Sequence, residues 1–289
     1  MPTKPVRDEY VIAGENTFHY VQWGEQGPTI ICIHGLTSNA FHFQALADEL
    51  ASDHRVIAYD LRGRGDSDKP EEGYSIPIHA EDLAELIDEM GLERPILLGH
   101  SLGAMIALYF AARYPDKLSK LILVDAGAPL PWKTPQEQPA WLTASISRLG
   151  TPIPSYAEYV NRLKAVPFLA PYWNEYTDIY FEHDTFSESD GSVAAKAYRE
   201  GILEEGSRFS EGSPEEQWDN VKVPTLLLRA GLGMFADDDQ LLSEEAAEMA
   251  RRSIANCRYI NYPNLNHYTI LFGVEPGPAK DIRNFIDEV

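Results

Sequence analysis

The sequence predicts an α/β fold: a mostly parallel central sheet with helices on both faces, plus an inserted helical cap. Three observations predict it. Short apolar runs alternate with helical stretches as far as Val124, which argues for a parallel sheet covered on both faces. The alternation stops at Asp125 and resumes only at Pro224, across a segment too rich in aromatics to be a linker. Between an apolar run and a helical stretch lies Gly99-His100-Ser101-Leu102-Gly103, a strand, tight turn and helix with a serine at the apex.

The elements follow in order. Glu9 to Ala13 and Thr17 to Trp23 flank the turn-former Gly14-Glu15-Asn16 and predict a hairpin. Thr29 to Ile33 is a continuous apolar run, as expected of a strand buried on both faces, and ends in His34-Gly35. Phe41 to Leu50 reads as a helix with Asn39 as its cap, and Arg55 to Tyr59 as a strand leading into Asp60 and Arg62-Gly63-Arg64-Gly65. Ile78 to Met90 carries Leu83, Leu86 and Ile87 at helical spacing with acids opposite, and Gly91 ends it. Pro95 to Leu98 is the strand before the serine, Ala104 to Arg113 the helix after it, and Lys120 to Val124 the next buried strand. After the interruption come strand Thr225 to Arg229, a helix containing Ala246 to Arg252, strand Arg258 to Tyr262 and a closing helix from Pro278 to Glu288.

The interrupting segment holds Trp132, Trp141, Tyr159, Phe168, Trp173 and Phe181 among other aromatics, so it is expected to fold, as helices. Its parsimonious place is above the strand C-termini, over the serine. The division is therefore a core of residues 1–130 and 219–289, with a cap of residues 131–218.

Bulk properties narrow the function. The 289 residues are 44% apolar, ample for a substantial core, and no window is long and apolar enough for a membrane span. The first residues lack the apolar segment of a signal peptide, so the chain reads as cytoplasmic. A net charge of −21 repels nucleic acid and anionic membranes and leaves a small molecule as the expected partner. Cys32 and Cys257 both fall in predicted strands, form no metal pattern and read as buried free thiols.

The chemistry centres on Ser101. Flanking glycines are needed because a strand that turns straight into a helix forces strained angles and close chain approach. The Leu102 amide, at the head of the following helix, can donate to a carbonyl oxygen that becomes negative. A serine nucleophile needs a base, and among the eight histidines His267 lies on a loop after the last strand, where a base can move between serine and leaving group.

In this order, Cys32 to Leu36, Asp60 to Ser67, Gly99 to Gly103 and Asn264 to His267 resemble the α/β-hydrolase family over nearly the whole chain, in particular the small bacterial serine esterases and lactonases with a helical cap. The resemblance implies a serine, acid and histidine in that chain order, with the acid on a loop after a late strand. Asp239-Gln240-Leu241-Leu242-Ser243 is similar to the family's acid segment, so Asp239 is the expected acid; the loop is longer than the pattern, and Asp238, Asp237 and Asp125, at the end of the Lys120 to Val124 strand, stay open. Leu36 is implied as the second oxyanion donor. His100 is expected to point away from the triad and His34 to hold its loop, while Arg62 and Arg64 tie adjacent loops together.

What the resemblance implies is carboxylic ester hydrolysis, with lactones included, through an acyl-enzyme and without metal or organic cofactor. Members with aspartate at the elbow form an alkyl ester instead, and Ser101 argues against that. A carbon–carbon bond hydrolase, a cofactor-free perhydrolase, or a slow-turnover small-molecule receptor would share the same residues.

Overall fold

A computed structural model describes residues 1–132 and 137–288. Eight strands form one sheet: β1 (Arg7–Ala13), β2 (Asn16–Trp23), β3 (Thr29–Ile33), β4 (Arg55–Tyr59), β5 (Ile96–His100), β6 (Lys120–Val124), β9 (Thr225–Ala230) and β10 (Cys257–Tyr262). Their spatial order is β1-β2-β4-β3-β5-β6-β9-β10; the pairs β1 with β2 and β2 with β4 are antiparallel, the others parallel. The central strands are buried on both faces, as their unbroken apolar runs predict.

Alternate residues of these strands feed two cores. Ile31, Ile33, Leu97, Leu121, Leu123 and Leu227 pack with α2 (Ile76–Glu89) and α3 (Leu102–Arg113). Ile30, Cys32, Leu98, Ile122, Val124 and Leu228 face the other way, onto α1 (Gln44–Leu50) and α9 (Gly277–Asp287). One more helix, α8 (Glu244–Ser253), joins the first core through Ala247 and Ala250. The expected mostly parallel α/β architecture is the observed one.

The register aligns the ends of the central strands. Ile33 pairs with Gly99, His100 with Val124, and Val124 with Leu228, so the chain leaves β3, β5, β6 and β9 side by side. The residues just beyond those ends, Gly35, Ser101, Asp125 and Gly231, are brought to one edge of the sheet by this pairing alone.

Local departures from expectation have simple causes. The Phe41 to Leu50 helix is split: Asn39 accepts the Phe41 amide at 3.0 Å and starts a 3₁₀ turn at Ala40–Phe43 before α1 begins. The helix expected from Ile78 starts at Ile76, because Pro77 is tolerated in a first turn, where its missing N–H has no partner to lose. Cys257 is only partly buried, since it opens the edge strand β10; Cys32 is fully buried.

The interrupting segment contains α4 (Ala140–Ser147), α5 (Tyr156–Lys164), α6 (Glu175–His183) and α7 (Arg199–Ser207). It is not wholly helical: β7 (Thr185–Ser187) and β8 (Val193–Ala195) form an antiparallel hairpin, with Asp190-Gly191 in the turn and Gly191 at φ +86°. Residues 133–136 of the expected cap, and Val289 of the expected core, lie outside the described residues. Polar pins join the segment to loops at the C-terminal edge of the sheet. The Tyr198 amide donates to Gly63 O at 2.7 Å, Asn39 Nδ2 to Tyr180 O at 3.2 Å, and Asn266 Nδ2 to Phe168 O at 2.9 Å.

The elbow is held by close backbone approach. A Cβ on Gly103 would lie 2.0 Å from Ile33 O, and one on Gly99 would lie 2.1 Å from Gly103 O. We therefore expect Gly103→Ala to lower unfolding stability by about 1–3 kcal/mol or more, read from the urea midpoint at unchanged slope. Gly206→Ala is the contrast: it meets no atom within 4 Å and sits in α7, so it should be neutral or stabilising by about 0.5 kcal/mol.

Candidate active site

Ser101 follows β5 directly and caps α3 with φ +57° and ψ −123°, a conformation that a non-glycine residue keeps only when its surroundings over-determine it. Here they do: its amide donates to Val124 O at 3.1 Å, and Gly35 packs so closely that a Cβ there would lie 3.1 Å from Ser101 Cβ. The strain turns Oγ outward, where His267 Nε2 lies 3.0 Å away. His267 Nδ1 donates to Asp125 Oδ2 at 2.7 Å, which leaves Nε2 free to accept the serine proton.

The acid beside His267 is thus Asp125 and not Asp239. Asp125 leaves β6 with φ +52°, and its Oδ1 accepts the Ala230 amide at 2.9 Å. Asp239 is spent on its own loop, accepting the amides of Met234 at 2.6 Å and Phe235 at 2.9 Å. Its backbone oxygen takes the Trp141 indole N–H at 2.9 Å, so this loop is a buttress for α4. Asp237 and Asp238 are exposed on the same loop. The signal for Asp125 was its position directly after the strand that neighbours the serine strand.

Leu36 lines the small cavity at the serine, and Leu102 follows the serine in the chain. Leu102 heads α3, where the first amides have no intrahelical partner. The Leu36 N–H shares a trans peptide with Gly35 C=O, and that carbonyl accepts His34 Nδ1–H at 2.8 Å and the Ser38 amide at 3.2 Å. The N–H therefore points the opposite way. His34 Nε2 in turn accepts the Leu61 amide at 3.0 Å, which fixes the tautomer. The expected loop-holding role of His34 is observed, and it orients this peptide.

His100 does not point away: Nε2 donates to His267 O at 2.8 Å, and the two rings lie 4.6 Å apart. Sequence reasoning also missed Asn266, whose Oδ1 accepts the amides of Tyr268 and Thr269 at 3.0 Å and so shapes the His267 loop. Arg62 and Arg64 tie loops as expected. Arg62 grips Asp82 through Nε at 2.6 Å, while Arg64 donates to Leu36 O at 3.0 Å and is ion-paired with Glu205 of α7.

Burial governs the electrostatics. It pushes His267 down to about 3, and His42 and His100 well below the usual histidine range, where neighbouring imidazoles add to the effect. It pushes the Asp125 carboxyl up, opposed by the Ala230 amide and the charge of Arg229. The cavity at Ser101 is about 30 Å³ and is also lined by Thr37, His42, Trp141, Ser145 and Tyr268. A second cavity of about 180 Å³ shares Trp141, Ser145, Tyr180 and Tyr268 with it and runs into the interrupting segment. Among the described residues, one group has metal-ligand spacing, namely His19, Asp60 and Asp66. Its central carboxylate already accepts the amides of Ala40 and Asp66 and the His19 ring, which frames the loop after β4.

A family model described as the alpha/beta hydrolase fold matches residues 28–274. The 2-(acetamidomethylene)succinate hydrolase of Mesorhizobium japonicum is 42% identical over 268 residues, 90% of this chain and 88% of that protein. Other similarities are shorter: an uncharacterized protein of Mycobacterium tuberculosis is 41% identical over 101 residues, 35% of this chain and 30% of that protein. Epoxide hydrolase 4 of Mus musculus is 33% identical over 159 residues, 53% of this chain and 44% of that protein, so this chain spans less than half the length of these two relatives. Among solved structures, E-2-(acetamidomethylene)succinate hydrolase superposes with a TM-score of 0.84 at 26% identity, covering 98% of this chain and 99% of that one. The enol-lactonase of Burkholderia xenovorans, at TM-score 0.75 and 18% identity over 97% of this chain and 100% of its own, shares the fold.

The buried histidines set how stability responds to pH. Burial holds His34 down to about 4 and His42 and His100 well below their ordinary value, so below about 6.5 the unfolded chain binds protons that the fold refuses. Stability is fully present above that pH and falls below it, by up to about 1.4 kcal/mol per pH unit for each of the three. For His19, burial lowers the pKa, but hydrogen bonds and charges from Asp60 and Asp8 outweigh it and raise it to about 9. Its contribution is complete below about 6.5 and is lost as pH rises to about 9. Urea unfolding should therefore give a maximum near pH 6.5 with a steep acid limb and a shallow alkaline one; a symmetric or alkaline-shifted profile would contradict these protonation states.

Proposed function

Because the chain belongs to the alpha/beta hydrolase fold family, we propose that it is a serine hydrolase that cleaves carboxylic esters, lactones included, through an acyl-enzyme. The observation that carries this is the hydrogen-bonded chain from Ser101 Oγ through His267 to Asp125, at a strained helix head beside the Leu36 and Leu102 amides. In the first step Oγ attacks the carbonyl carbon as its proton passes to His267 Nε2, and the carbonyl electron pair moves onto oxygen. The amides of Leu36 and Leu102 stabilise that oxyanion. Collapse of the adduct breaks the bond to the leaving alcohol, which takes the proton from Nε2. Water then attacks the acyl-enzyme by the same route, which releases the acid and restores Ser101.

Asp125 is the triad acid in this mechanism. It orients the imidazole, selects the tautomer with hydrogen on Nδ1 and stabilises the imidazolium that forms. The segment from α4 to α7 is the substrate-covering cap, a reading supported by Trp141, Leu142, Ser145 and Tyr180 standing over the serine. The substrate is a small molecule, and the residues described need no metal or organic cofactor for these steps. Amide cleavage is a second reading, favoured by the relative whose name gives it an acetamido substrate and which aligns over most of this chain. Carbon–carbon cleavage, perhydrolysis and ligand reception share the geometry and are separated from it by turnover.

Ser101→Ala should abolish hydrolysis of p-nitrophenyl esters and leave the fold intact, and a serine-directed phosphonate should label Ser101 alone. Turnover retained by that variant would remove the serine-hydrolase reading.

The acid assignment predicts that Asp125→Asn lowers kcat on the order of 10³–10⁴-fold, because the amide stabilises the wrong tautomer, with Asp239→Asn changing it little. With burial holding His267 down to about 3, the base stays neutral in mild acid, and kcat/KM should stay level well below pH 6.5 before it falls. An acid limb at or above that pH would show that the charge of Asp125 outweighs burial at the ring, whereas the large loss at Asp239 would reverse the assignment of the acid.

A further inference from the structure

The larger of the two cavities that share Trp141 is walled mainly by the segment proposed as the cap, with Phe235 and Tyr268 from the core, and its walls are mostly apolar: Leu163, Val166, Phe168, Leu169, Phe181 and Phe235. Its polar side chains are already occupied with one another. Ser145 Oγ and Tyr268 OH share a hydrogen bond of 2.9 Å, the Trp141 N–H is held by Asp239 O, and the Tyr180 hydroxyl lies against Ser38.

Of the two cations in the wall, the inner one is already committed to a buried anion. Arg148, with a side chain 18% exposed, reaches the buried Asp184 at 2.7 Å, the Tyr159 hydroxyl at 2.9 Å and Thr37 O at 3.2 Å. Arg162 lies at the solvent side, paired with Glu158 at 2.9 Å. A substrate carboxylate placed here would set a second anion on a guanidinium that already has one. On the inner wall, away from Arg162, it would also lose its hydration among apolar side chains and polar groups that already have partners, a cost that burial of an unpaired charge does not recover.

Size narrows the occupant further. An apolar cavity of about 150 Å³ takes a benzene molecule, and this one is about 180 Å³. We propose that the chamber holds an uncharged ring-sized group of the substrate, aryl or cyclic alkyl, so that this protein takes neutral esters where its relative's name specifies a succinate. The inference rests on the acyl-transfer reading for its link to turnover, and the chamber's selectivity is testable without it.

Two measurements separate them. In Ser101→Ala protein, calorimetric titration should show methyl phenylacetate binding at least tenfold tighter than monomethyl succinate; equal affinity, or tighter binding of the charged ester, would overturn the proposal. In the catalytically competent protein, Val166→Trp fills the chamber and should lower kcat/KM at least tenfold more for methyl phenylacetate than for methyl acetate. Ala144→Trp, from an exposed wall position on α4, is the second filling variant should the first not fold. An unchanged ratio in a folded variant would also overturn it. If wild-type protein hydrolyses none of these esters while the Ser101→Ala protein still prefers the aryl ester, the acyl-transfer reading fails and the chamber assignment stands.

Discussion

Three hydrogen bonds, two of them to its carboxylate, fix the buried Asp125. Its backbone amide donates to Leu228 O at 2.7 Å and its Oδ1 accepts the Ala230 amide, so the end of β6 is stitched to β9 before Oδ2 reaches His267. A carboxyl in so dry a position is expensive unless its oxygens are hydrogen-bonded, and here both are. The His267 ring is fixed from two sides, because Asp125 holds Nδ1 and His100 holds the residue's own carbonyl. What remains free is Nε2, aimed at the serine. The geometry of the site therefore depends on the positive-φ turn at the end of β6 as much as on the one after β5.

Much of this was legible in the sequence, and the reason is physical. Buried parallel strands must be apolar throughout, so β3 to β6 and β9 declare themselves, and a serine between two glycines at a strand-to-helix junction leaves few alternatives. His267 followed from its place after the last strand. The acid did not, because a run of aspartates on a long loop is attractive by position, while sequence does not reveal that Met234 and Phe235 amides consume Asp239. The deciding fact was sheet order: β6 is the neighbour of β5, so the residue after β6 emerges beside Ser101. The hairpin β7–β8 was missed because its strands have three residues each, too short for a periodic signal.

The loop after β3 shows how buried polar groups set a backbone donor. The Leu36 peptide is flanked by two anchored carbonyls: Gly35 O is held by His34 and Ser38, and Leu36 O by Arg64. Arg64 is itself fully buried and needs a counterion, which Glu205 of α7 supplies from the interrupting segment. The charge of Arg64 draws Glu205 down to about 2 despite the burial that opposes it. One ionic contact thus serves both as the glue between α7 and the core and as a fixed support for the Leu36 peptide. Breaking it would leave a buried guanidinium uncompensated, so the two functions are coupled by desolvation energy and not by proximity alone.

The two cavities pose a steric question that the same logic answers. About 30 Å³ at Ser101 is room for a water and not for an ester, whereas the neighbouring chamber is large but does not include the serine among its walls. Trp141, Ser145, Tyr180 and Tyr268 line both, so they form the partition. For a substrate to place its carbonyl at Oγ, part of that partition must give way. Trp141 is held by Asp239 O, Tyr180 is packed among His42, Phe181 and Phe272, and the Tyr268 ring stacks on Phe168, while Ser145 and Tyr268 meet across the gap through a hydroxyl pair. A neutral hydroxyl pair contributes about 1 kcal/mol net, and its two oxygens can transfer their hydrogen bond to an incoming acceptor such as the oxygen of the proposed ester. The partition can therefore open at the point where a substrate replaces the interaction it breaks.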